Sequence, residues 1–167
     1  MKPEPDTLAT MKEMAENYIK RETAELTRLL EAVAKATKVE IVGGQIVTEM
    51  KLSANDMEAL CLRIPAECAF LQAKMTSFNI KQAFSELEIE DNITSSLSDM
   101  NGKGNAQERM RQAEQKEYSK IVGNMVNKMV QKGIQGCIER ADKVYEAIKK
   151  IMDCRAKEGW FDRKGAN

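Results

Sequence analysis

The sequence predicts a mainly α-helical bundle with a long C-terminal helix of coiled-coil type and one small β-hairpin. Three observations predict this fold. In residues 105–158 apolar side chains recur at helical spacing almost without interruption. In residues 38–52 two β-branched runs flank a pair of glycines. Aromatic residues make up only 5% of the chain and Met occurs eleven times, which is typical of an aliphatic, adaptable core.

The first helix is predicted after a short lead-in. Residues 1–6 hold two of the three prolines, and Asp6 or Thr7 can cap the helix that follows. Apolar positions then recur at helical spacing up to about Thr37, with a polar interruption at Glu22. These positions are Leu8, Met11, Ala15, Tyr18, Leu26, Leu29 and Val33. The pattern predicts one helix with an apolar face and a solvated face of mixed charge.

The period changes to that of strands in residues 38–52. Val39 and Ile41 precede the pair Gly43-Gly44, and a second β-branched run follows it. Two such runs around two glycines predict a hairpin with a primed turn. Because neither GK[ST] nor GxGxxG follows the glycines, turn chemistry explains them better than phosphate binding.

A second helical region begins at Ser53, and Asp56 occupies its capping-box position. Pro65 is expected to break or kink this helix, since proline lacks the N–H of the helical hydrogen bond. The apolar residues that follow hold three of the four phenylalanines, and we expect them to pack on the long helix. They are Cys68, Phe70, Leu71, Met75, Phe78, Ile80, Phe84, Leu87 and Ile89.

Residues 91–104 are rich in Ser, Asn and Gly and are expected to form a linker. This linker separates an acidic helix-hairpin-helix region, residues 1–90, from a basic region, residues 105–167, that carries the long helix and is expected to oligomerise. A length of 167 residues favours one cooperative domain built from both regions.

The long helix is predicted to begin with Asn105 as its N-cap and Glu108 three residues later. Its second half carries an apolar seam with alternating steps of four and three residues. The seam consists of Val130, Ile134, Cys137, Ala141, Val144, Ile148 and Ile151. Gly133 and Gly136 interrupt the run, which predicts a hinge or the close approach of another helix. One helix of this length exceeds a compact monomer, so we expect a break near the glycines or assembly through the helix.

The charge is balanced overall but unevenly distributed. Residues 1–100 contain 11 basic and 17 acidic residues, whereas residues 101–167 contain 15 basic and 9 acidic residues. Such a split predicts contact between the two halves or between subunits, and a basic surface near the C-terminus for an anionic partner. Chance asymmetry in a helical protein is an equally open explanation.

The composition argues against an enzyme. The chain has no His, and it contains no Ser/His/Asp or Cys/His arrangement and no metal-binding motif. Its four cysteines form no CxxC pair, and reduced thiols in a cytosolic protein explain them best. The sequence has no signal peptide and no apolar span of membrane length. We therefore expect a non-enzymatic, cytoplasmic protein without a cofactor or metal.

Two groups of residues are candidates for binding phosphates. The first lies at the start of the long helix, where free backbone N–H groups and the helix dipole attract anions. It comprises Lys103, Arg109, Arg111, Lys116 and Lys120. The second interleaves cations with aromatic rings, as single-stranded nucleic acid requires. It comprises Lys143, Lys149, Lys150, Arg155, Lys157, Trp160, Phe161, Arg163 and Lys164. Alternatively, Trp160 and Phe161 dock the helix end onto the bundle and the lysines are merely solvated.

The region after residue 100 resembles a known family. A Gly-Lys-Gly linker, the stretch AQERMRQAE and a helix ending IERADKVYEAIKKIMDCRAKEGWF are together similar to the UvsY-type recombination mediators of tailed bacteriophages. The residues that carry the resemblance are Cys137, Ala141, Ile148, Lys149, Asp153 and Arg155. It implies oligomeric rings in a bacterial host cell that bind single-stranded DNA and load a recombinase while displacing single-strand-binding protein. The hairpin and the first helix have no counterpart in the resemblance.

We therefore expect an oligomeric accessory protein that binds single-stranded DNA and acts as a recombination or replication mediator. The residues expected to contact phosphates are Lys103, Arg109, Arg111, Lys116, Lys120, Lys149, Lys150, Arg155, Lys157, Arg163 and Lys164, with Trp160 stacking on a base. Its expected partners are copies of itself, single-stranded DNA, and a recombinase or single-strand-binding protein. The alternative is a structural or adaptor protein whose long helix pairs with a partner protein without nucleic acid.

Overall fold

A computed structural model describes residues 5–42, 45–100 and 105–164. In this part the chain forms five helices and one antiparallel sheet of two strands. The helices are α1 Pro5–Glu22, α2 Ala24–Ala36, α3 Ala54–Asp99, α4 Ala106–Lys116 and α5 Tyr118–Lys164, and the strands are β1 Thr37–Val42 and β2 Gln45–Met50. The predicted fold class, mainly helical with a long C-terminal helix and one small hairpin, is confirmed.

The single helix predicted up to about Thr37 is in fact two helices divided at Thr23. Thr23 has φ −97° and ψ 10°, and its backbone oxygen accepts a hydrogen bond from the N–H of Thr27 at 2.8 Å. The polar interruption at Glu22 therefore marks a helix end. The predicted apolar positions that are buried are Met11, Ala15, Leu26, Leu29 and Val33, while Tyr18 is half-buried and Leu8 is 36% exposed.

The hairpin predicted for residues 38–52 is present. β1 and β2 pair in antiparallel register, with Thr37 opposite Met50. The hairpin follows α2 directly, and the hydroxyl of Thr37 donates to the backbone oxygen of Val33 at 2.7 Å. The predicted turn at residues 43–44 lies outside the described residues.

α3 begins with the predicted capping box and continues further than predicted. The N–H of Asp56 donates to Oγ of Ser53 at 3.1 Å, and the N–H of Ser53 donates to Oδ2 of Asp56 at 3.4 Å. The break expected at Pro65 does not occur, because α3 is continuous across it. Proline removes one N–H from the helical ladder, and the burial of the adjacent Ile64, which is 0% exposed, offsets that loss.

Residues 91–99 are helical, so the expectation of a linker from residue 91 is wrong for this part. The hydroxyl of Thr94 donates to the backbone oxygen of Glu90 at 2.8 Å, and the hydroxyl of Ser98 donates to that of Thr94 at 3.1 Å. The hydroxyl side chains thus bond back along the helix instead of ending it. Residues 101–104, which include Lys103, lie outside the described residues.

The long helix predicted for residues 105–158 is interrupted at Glu117, between α4 and α5. Asn105 caps α4 as predicted, since its side-chain oxygen accepts from the backbone N–H two residues further on at 3.2 Å. α5 runs without a break through Gly133 and Gly136, so the break expected near these glycines is absent.

The predicted seam of α5 is buried by the chain itself. Five of its residues are buried, namely Val130, Ile134, Cys137, Ala141 and Ile148, and two are half-buried, namely Val144 and Ile151. A core helix of a bundle and a helix of a coiled coil share this spacing, so periodicity alone did not distinguish them.

The chain divides into two compact units. Unit 1 consists of Met1–Arg21 and Ala73–Ile134, and unit 2 consists of Glu22–Gln72 and Gln135–Asn167. The predicted regions 1–90 and 105–167 are therefore each shared between the two units. The buried apolar residues of unit 1 are Met11, Ala15, Ala113, Val130 and Ile134. Those of unit 2 are Leu26, Leu29, Val33, Met50, Met57, Leu60, Ile64, Cys68, Leu71, Cys137, Ile138, Ala141 and Ile148.

Candidate nucleic-acid interface

The residues predicted to bind phosphates fall into two groups that belong to different units. The group in unit 1, on α4 and the first turn of α5, comprises Arg109, Arg111, Lys116 and Lys120. The group in unit 2, on the C-terminal half of α5, comprises Lys149, Lys150, Arg155 and Lys157. The predicted residues that lie outside the described part are Lys103 and the side chains of Trp160, Arg163 and Lys164.

The cations of α4 do not form one cluster. Arg109 and Lys116 are seven residues apart and share a helix face, whereas Arg111 lies on another face. Arg111 and Lys116 are exposed and have no ion pair among the described residues. Arg109 is half-buried, and its Nε has no hydrogen-bond partner in the described part of the chain. α4 therefore offers two free cations, on different faces.

Lys120 is already held by two carboxylates. Its Nζ lies 2.7 Å from Oε1 of Glu88 and 3.4 Å from Oε2 of Glu117. The hydrogen bond to Glu88 raises the pKa of Lys120 above its ordinary value. A lysine with intramolecular partners gains less from a phosphate than a free one, because the existing pairs must be broken first.

Lys120 belongs to a row of polar contacts between α3 and α5 in unit 1. Nζ of Lys128 lies 3.0 Å from Oε1 of Glu86. Nε2 of Gln131 donates to Oε1 of Gln82 at 3.1 Å, and Nε2 of Gln82 donates to Oε1 of Glu86 at 2.8 Å. These bonds provide hydrogen-bond partners for the side-chain amide of Gln82, a residue that is only 8% exposed. Contact between the acidic and the basic half of the sequence, which the charge split predicted, is therefore present within one chain.

This arrangement leaves each unit nearly neutral. Unit 1 contains 13 basic and 12 acidic residues, and unit 2 contains 13 basic and 14 acidic residues. A dedicated nucleic-acid domain usually has a marked basic excess. Any anion-binding site of this protein must therefore arise from a local arrangement of cations and not from the charge of a whole unit.

Arg155 is bonded to the backbone at the end of the hairpin. Its Nη2 donates to the backbone oxygen of Met50 at 2.7 Å, and its Nη1 donates to that of Leu52 at 2.9 Å. Nη1 also lies 3.8 Å from Sδ of Met57. These bonds attach the segment between β2 and α3 to α5, so Arg155 is a structural residue whose guanidinium is not free. Sequence reasoning missed this role because the partners lie 103 and 105 positions away.

Three free cations of unit 2 form a row on one face of α5. Lys143, Lys150 and Lys157 follow one another at seven-residue spacing, and each is exposed without an ion pair among the described residues. Glu146 and Asp153 alternate with them at spacings of three and four residues. The row carries three positive charges against two negative ones, so it is a weakly basic face that salt should screen readily.

Lys149 lies over an aromatic ring. Its Nζ is 5.2 Å from the ring centroid of Tyr145 and 3.9 Å from Oε1 of Glu146. Tyr145 is half-buried, so part of the ring is accessible. A ring with a cation beside it is an arrangement on which a nucleic-acid base can stack. Tyr145 was not among the predicted residues, although its four-residue spacing from Lys149 was visible in the sequence.

Among the described residues, the cysteines and carboxylates do not form a metal site. All four cysteines are free thiols, of which Cys68 and Cys137 are buried, Cys61 is half-buried and Cys154 is exposed. Burial raises the pKa of the Cys61 and Cys68 thiols. In the part of the chain that the structure describes, no group of three or more potential ligands could hold a metal ion. No described helix has both the length and the apolar character needed to cross a bilayer.

Comparison with protein-family models, with curated proteins and with solved structures finds no match for this chain. The likeness of the region after residue 100 to UvsY-type mediators therefore remains a resemblance in the pattern of residues.

Proposed function

We propose that the protein is a non-enzymatic accessory protein that assembles with copies of itself and binds single-stranded DNA, as a recombination or replication mediator does. The observation that carries the proposal is the pair of free, exposed lysines Lys150 and Lys157 on one face of α5. The Tyr145–Lys149 pair on the same helix adds a ring for a base. The resemblance to phage recombination mediators involves this region too.

In this proposal the two lysines bind phosphates of the strand, and Tyr145, which precedes both of them on α5, stacks on a base outside this pair of phosphates. Arg111 and Lys116, on different faces of α4, are available as separate additional phosphate contacts. Trp160, Arg163 and Lys164 belong to the proposal from sequence alone. Each bound phosphate releases about 0.7 counterions from single-stranded DNA, so affinity falls as salt rises. With few contacts and carboxylates nearby, binding is expected to be weak and non-specific.

The test is a fluorescence-anisotropy titration of labelled oligo(dT) at low and at physiological salt. The double variant Lys150→Gln/Lys157→Gln should bind more weakly, and its salt slope should be lower by about 0.7 for each lysine removed. The matched control is Lys12→Gln/Lys35→Gln, which removes two exposed lysines from α1 and α2. Absence of binding at low salt would reject the proposal, and equal loss in both variants would reject the assigned residues.

The second candidate is an adaptor that binds a partner protein without nucleic acid. It is favoured by three large apolar side chains that α3 exposes to solvent, namely Ile80, Phe84 and Leu87. Surfaces of this kind commonly bind protein. Under this candidate, substitution of these residues abolishes partner binding, whereas removal of Lys150 and Lys157 has no effect. A recombinase or single-strand-binding protein is the partner that the phage resemblance implies, and pull-down with purified candidates would test it.

A further inference from the structure

α3 exposes an apolar row in unit 1 that the chain itself leaves uncovered. Ile80, Phe84 and Leu87 are 54%, 69% and 59% exposed, and their spacing of four and three residues places them on one face. This face was expected to pack on the long helix. Instead α3 turns its opposite side towards α5, where Gln82 bonds to Gln131. The three side chains, which we call the α3 row, thus have no role in the core.

Charges of opposite sign border the α3 row. At roughly 100° per residue, Lys81 lies to one side of Ile80 and Glu90 lies about as far to the other side. Both residues are exposed, and neither has an ion pair among the described residues. Glu88 lies on the same flank as Lys81, at roughly 80° from Ile80, but its carboxylate is already paired with Nζ of Lys120 at 2.7 Å. The unpaired charges on the flanks of the α3 row are therefore a cation on one side and a carboxylate on the other.

Unit 2 contains an apolar groove of about 460 Å³ between α2 and α5. α2 lines it with Leu26, Leu30 and Ala34, and α5 lines it with Cys137 and Val144. Leu26 and Cys137 are almost fully buried, at 1% and 8% exposed, so the surface open to a partner comes from Leu30, Ala34 and Val144. Leu30 and Ala34 lie four positions apart, on the side of α2 that borders the groove. A trough between two helices accepts a third helix that presents side chains at spacings of three and four residues.

The rim of the groove also carries charges of opposite sign. Glu31 lies on the α2 side, and Arg140 and Lys143 lie on the α5 side. Arg140 donates to the backbone oxygen of Gly136 at 3.2 Å and to Sγ of Cys137 at 3.1 Å. Lys143 has no ion pair among the described residues, so it is the free cation of this rim.

We propose that the α3 row of one copy docks in the α2–α5 groove of a second copy. Lys81 then meets Glu31, and Glu90 meets Lys143. Charge complementarity selects a second copy as the occupant, because the α3 row and the groove of this one chain match in spacing and in the sign of both borders. The contact joins two different surfaces, so it is heterologous and assembly continues beyond a dimer.

This proposal deepens the self-association that the proposed function includes, and it does not require DNA. It also places the assembly contact on the α3 row and the α2–α5 groove, whereas the sequence predicted assembly through the long C-terminal helix. The α5 seam is occupied by the core of the chain, with Ile134 and Ile148 fully buried, so it is not available to another copy. Lys143 belongs to the assembly contact, whereas Lys150 and Lys157 remain free for phosphates.

The first test is the mass in solution by light scattering over a range of concentrations without DNA. The wild-type mass should rise well above the 18.8 kDa of one chain. Phe84→Glu places a charge in the proposed contact and should return the mass to that of the monomer while leaving the circular dichroism spectrum unchanged. Leu62→Glu, at another exposed apolar position of α3, is the matched control and should leave the assembly intact.

The second test is a charge exchange at the rim. Glu90→Lys alone and Lys143→Glu alone should each raise the dissociation constant of assembly about tenfold, because each brings like charges together. The two substitutions combined should restore most of the lost affinity. Lys157→Glu, on the same face of α5 but outside the groove lining, should have little effect.

The outcomes separate this surface from the DNA-binding proposal. A monomeric mass at every concentration would overturn both the surface and the self-association, whether or not oligo(dT) binds. An assembly that tolerates Phe84→Glu, or a charge exchange without recovery, would overturn the surface alone. Loss of oligo(dT) binding in Lys150→Gln/Lys157→Gln with unchanged mass would support the assignment of these two functions to different residues of α5.

Discussion

The side chain of Ile19 on α1 occupies the space where a Cβ atom on Gly133 of α5 would lie. An added Cβ would overlap Cδ1 of Ile19 and would come within 3.0 Å of its Cγ1. Gly133 thus leaves room on α5 for the side chain of Ile19 from α1 inside unit 1. A break in the helix, one of the explanations that the sequence offered for this glycine, is excluded by the continuity of α5.

Gly133→Ala should make the protein less stable than Gly136→Ala by about 1–3 kcal/mol, because Ile19 must move to avoid overpacking. Gly136 has open space around the position of a Cβ, so alanine there should stabilise the helix by about 0.5–1 kcal/mol. Urea unfolding followed by circular dichroism measures both. Adding Ile19→Val, which removes Cδ1, should recover part of the loss. Equal stabilisation by both alanines would contradict a steric overlap between Ile19 and an alanine at position 133.

The elements that the sequence predicted correctly are those determined by neighbouring residues. The capping box at Ser53 and Asp56 joins positions three apart, and the hairpin depends on two short runs around a turn. The divisions at Thr23 and Glu117 were missed, since neither has a proline or glycine to mark it. Conversely, Pro65 marked a break that packing overrides. Local chemistry thus predicted the capped starts of α3 and α4, whereas the starts of α2 and α5 were missed together with the helix ends that precede them.

In the candidate site, too, the sequence predicted only what depends on residues close to one another in the chain. The sequence predicted a basic group on the C-terminal half of the long helix, and Lys150 and Lys157 lie there on one face of α5. Spacing gave no means of predicting that Lys120 is paired with Glu88, 32 positions away, or that Arg155 reaches the hairpin. Whether a cation is free depends on partners distant in sequence, and only the packing of helices determines these.

Arg155 should contribute to stability and not to DNA binding. Arg155→Ala removes two charge-assisted hydrogen bonds, to Met50 and Leu52, and leaves two carbonyls without these partners. Because the residue is partly exposed and water can replace some of the loss, we expect a cost of about 1–2 kcal/mol in the free energy of unfolding. Arg155→Lys should recover little, since an ammonium group lacks the fork of the guanidinium.

The control for this prediction is Lys157→Ala, two residues further along α5 and exposed. It should change the unfolding free energy by less than about 0.5 kcal/mol but should weaken oligo(dT) binding. The reverse result, with a stable Arg155→Ala that fails to bind oligo(dT), would show that Arg155 contacts phosphate in place of the hairpin.

The pairing of α3 with α5 should make stability depend on pH in the acidic range. Hydrogen bonds from Gln82 and then Lys128 lower the pKa of Glu86 below its ordinary value. A carboxyl whose pKa is lower in the folded than in the unfolded chain stabilises the fold above the unfolded value, and this contribution is lost as the pH falls through the folded pKa. Glu86→Gln cannot titrate, so its unfolding free energy should decline less on acidification.

The measurement is urea unfolding at neutral pH and at several values below the ordinary glutamate pKa. Glu25, whose pKa is lowered by the side chain of Arg28, titrates in the same direction and keeps part of the pH dependence in the variant. The control Glu16→Gln removes an exposed carboxyl that has no ion pair among the described residues and should follow the wild type. A steeper decline in Glu86→Gln than in the wild type would contradict a lowered pKa of Glu86 in the folded chain.

The four cysteines should differ in their reaction with a thiol reagent such as a chromogenic disulfide. Cys154 is exposed, whereas Cys68 is buried and burial raises the pKa of its thiol, which lowers the fraction of reactive thiolate. Cys61 is half-buried and its pKa is raised by the same cause. At neutral pH the native protein should therefore release one equivalent of chromophore quickly, and the other equivalents only as the chain opens.

The variants Cys154→Ser and Cys68→Ser test this assignment. Cys154→Ser should abolish the fast phase, and Cys68→Ser should preserve it. Two fast equivalents in the native protein, or a fast phase that survives Cys154→Ser, would show that the packing of α3 against α5 in unit 2 is looser than the burial of these thiols indicates.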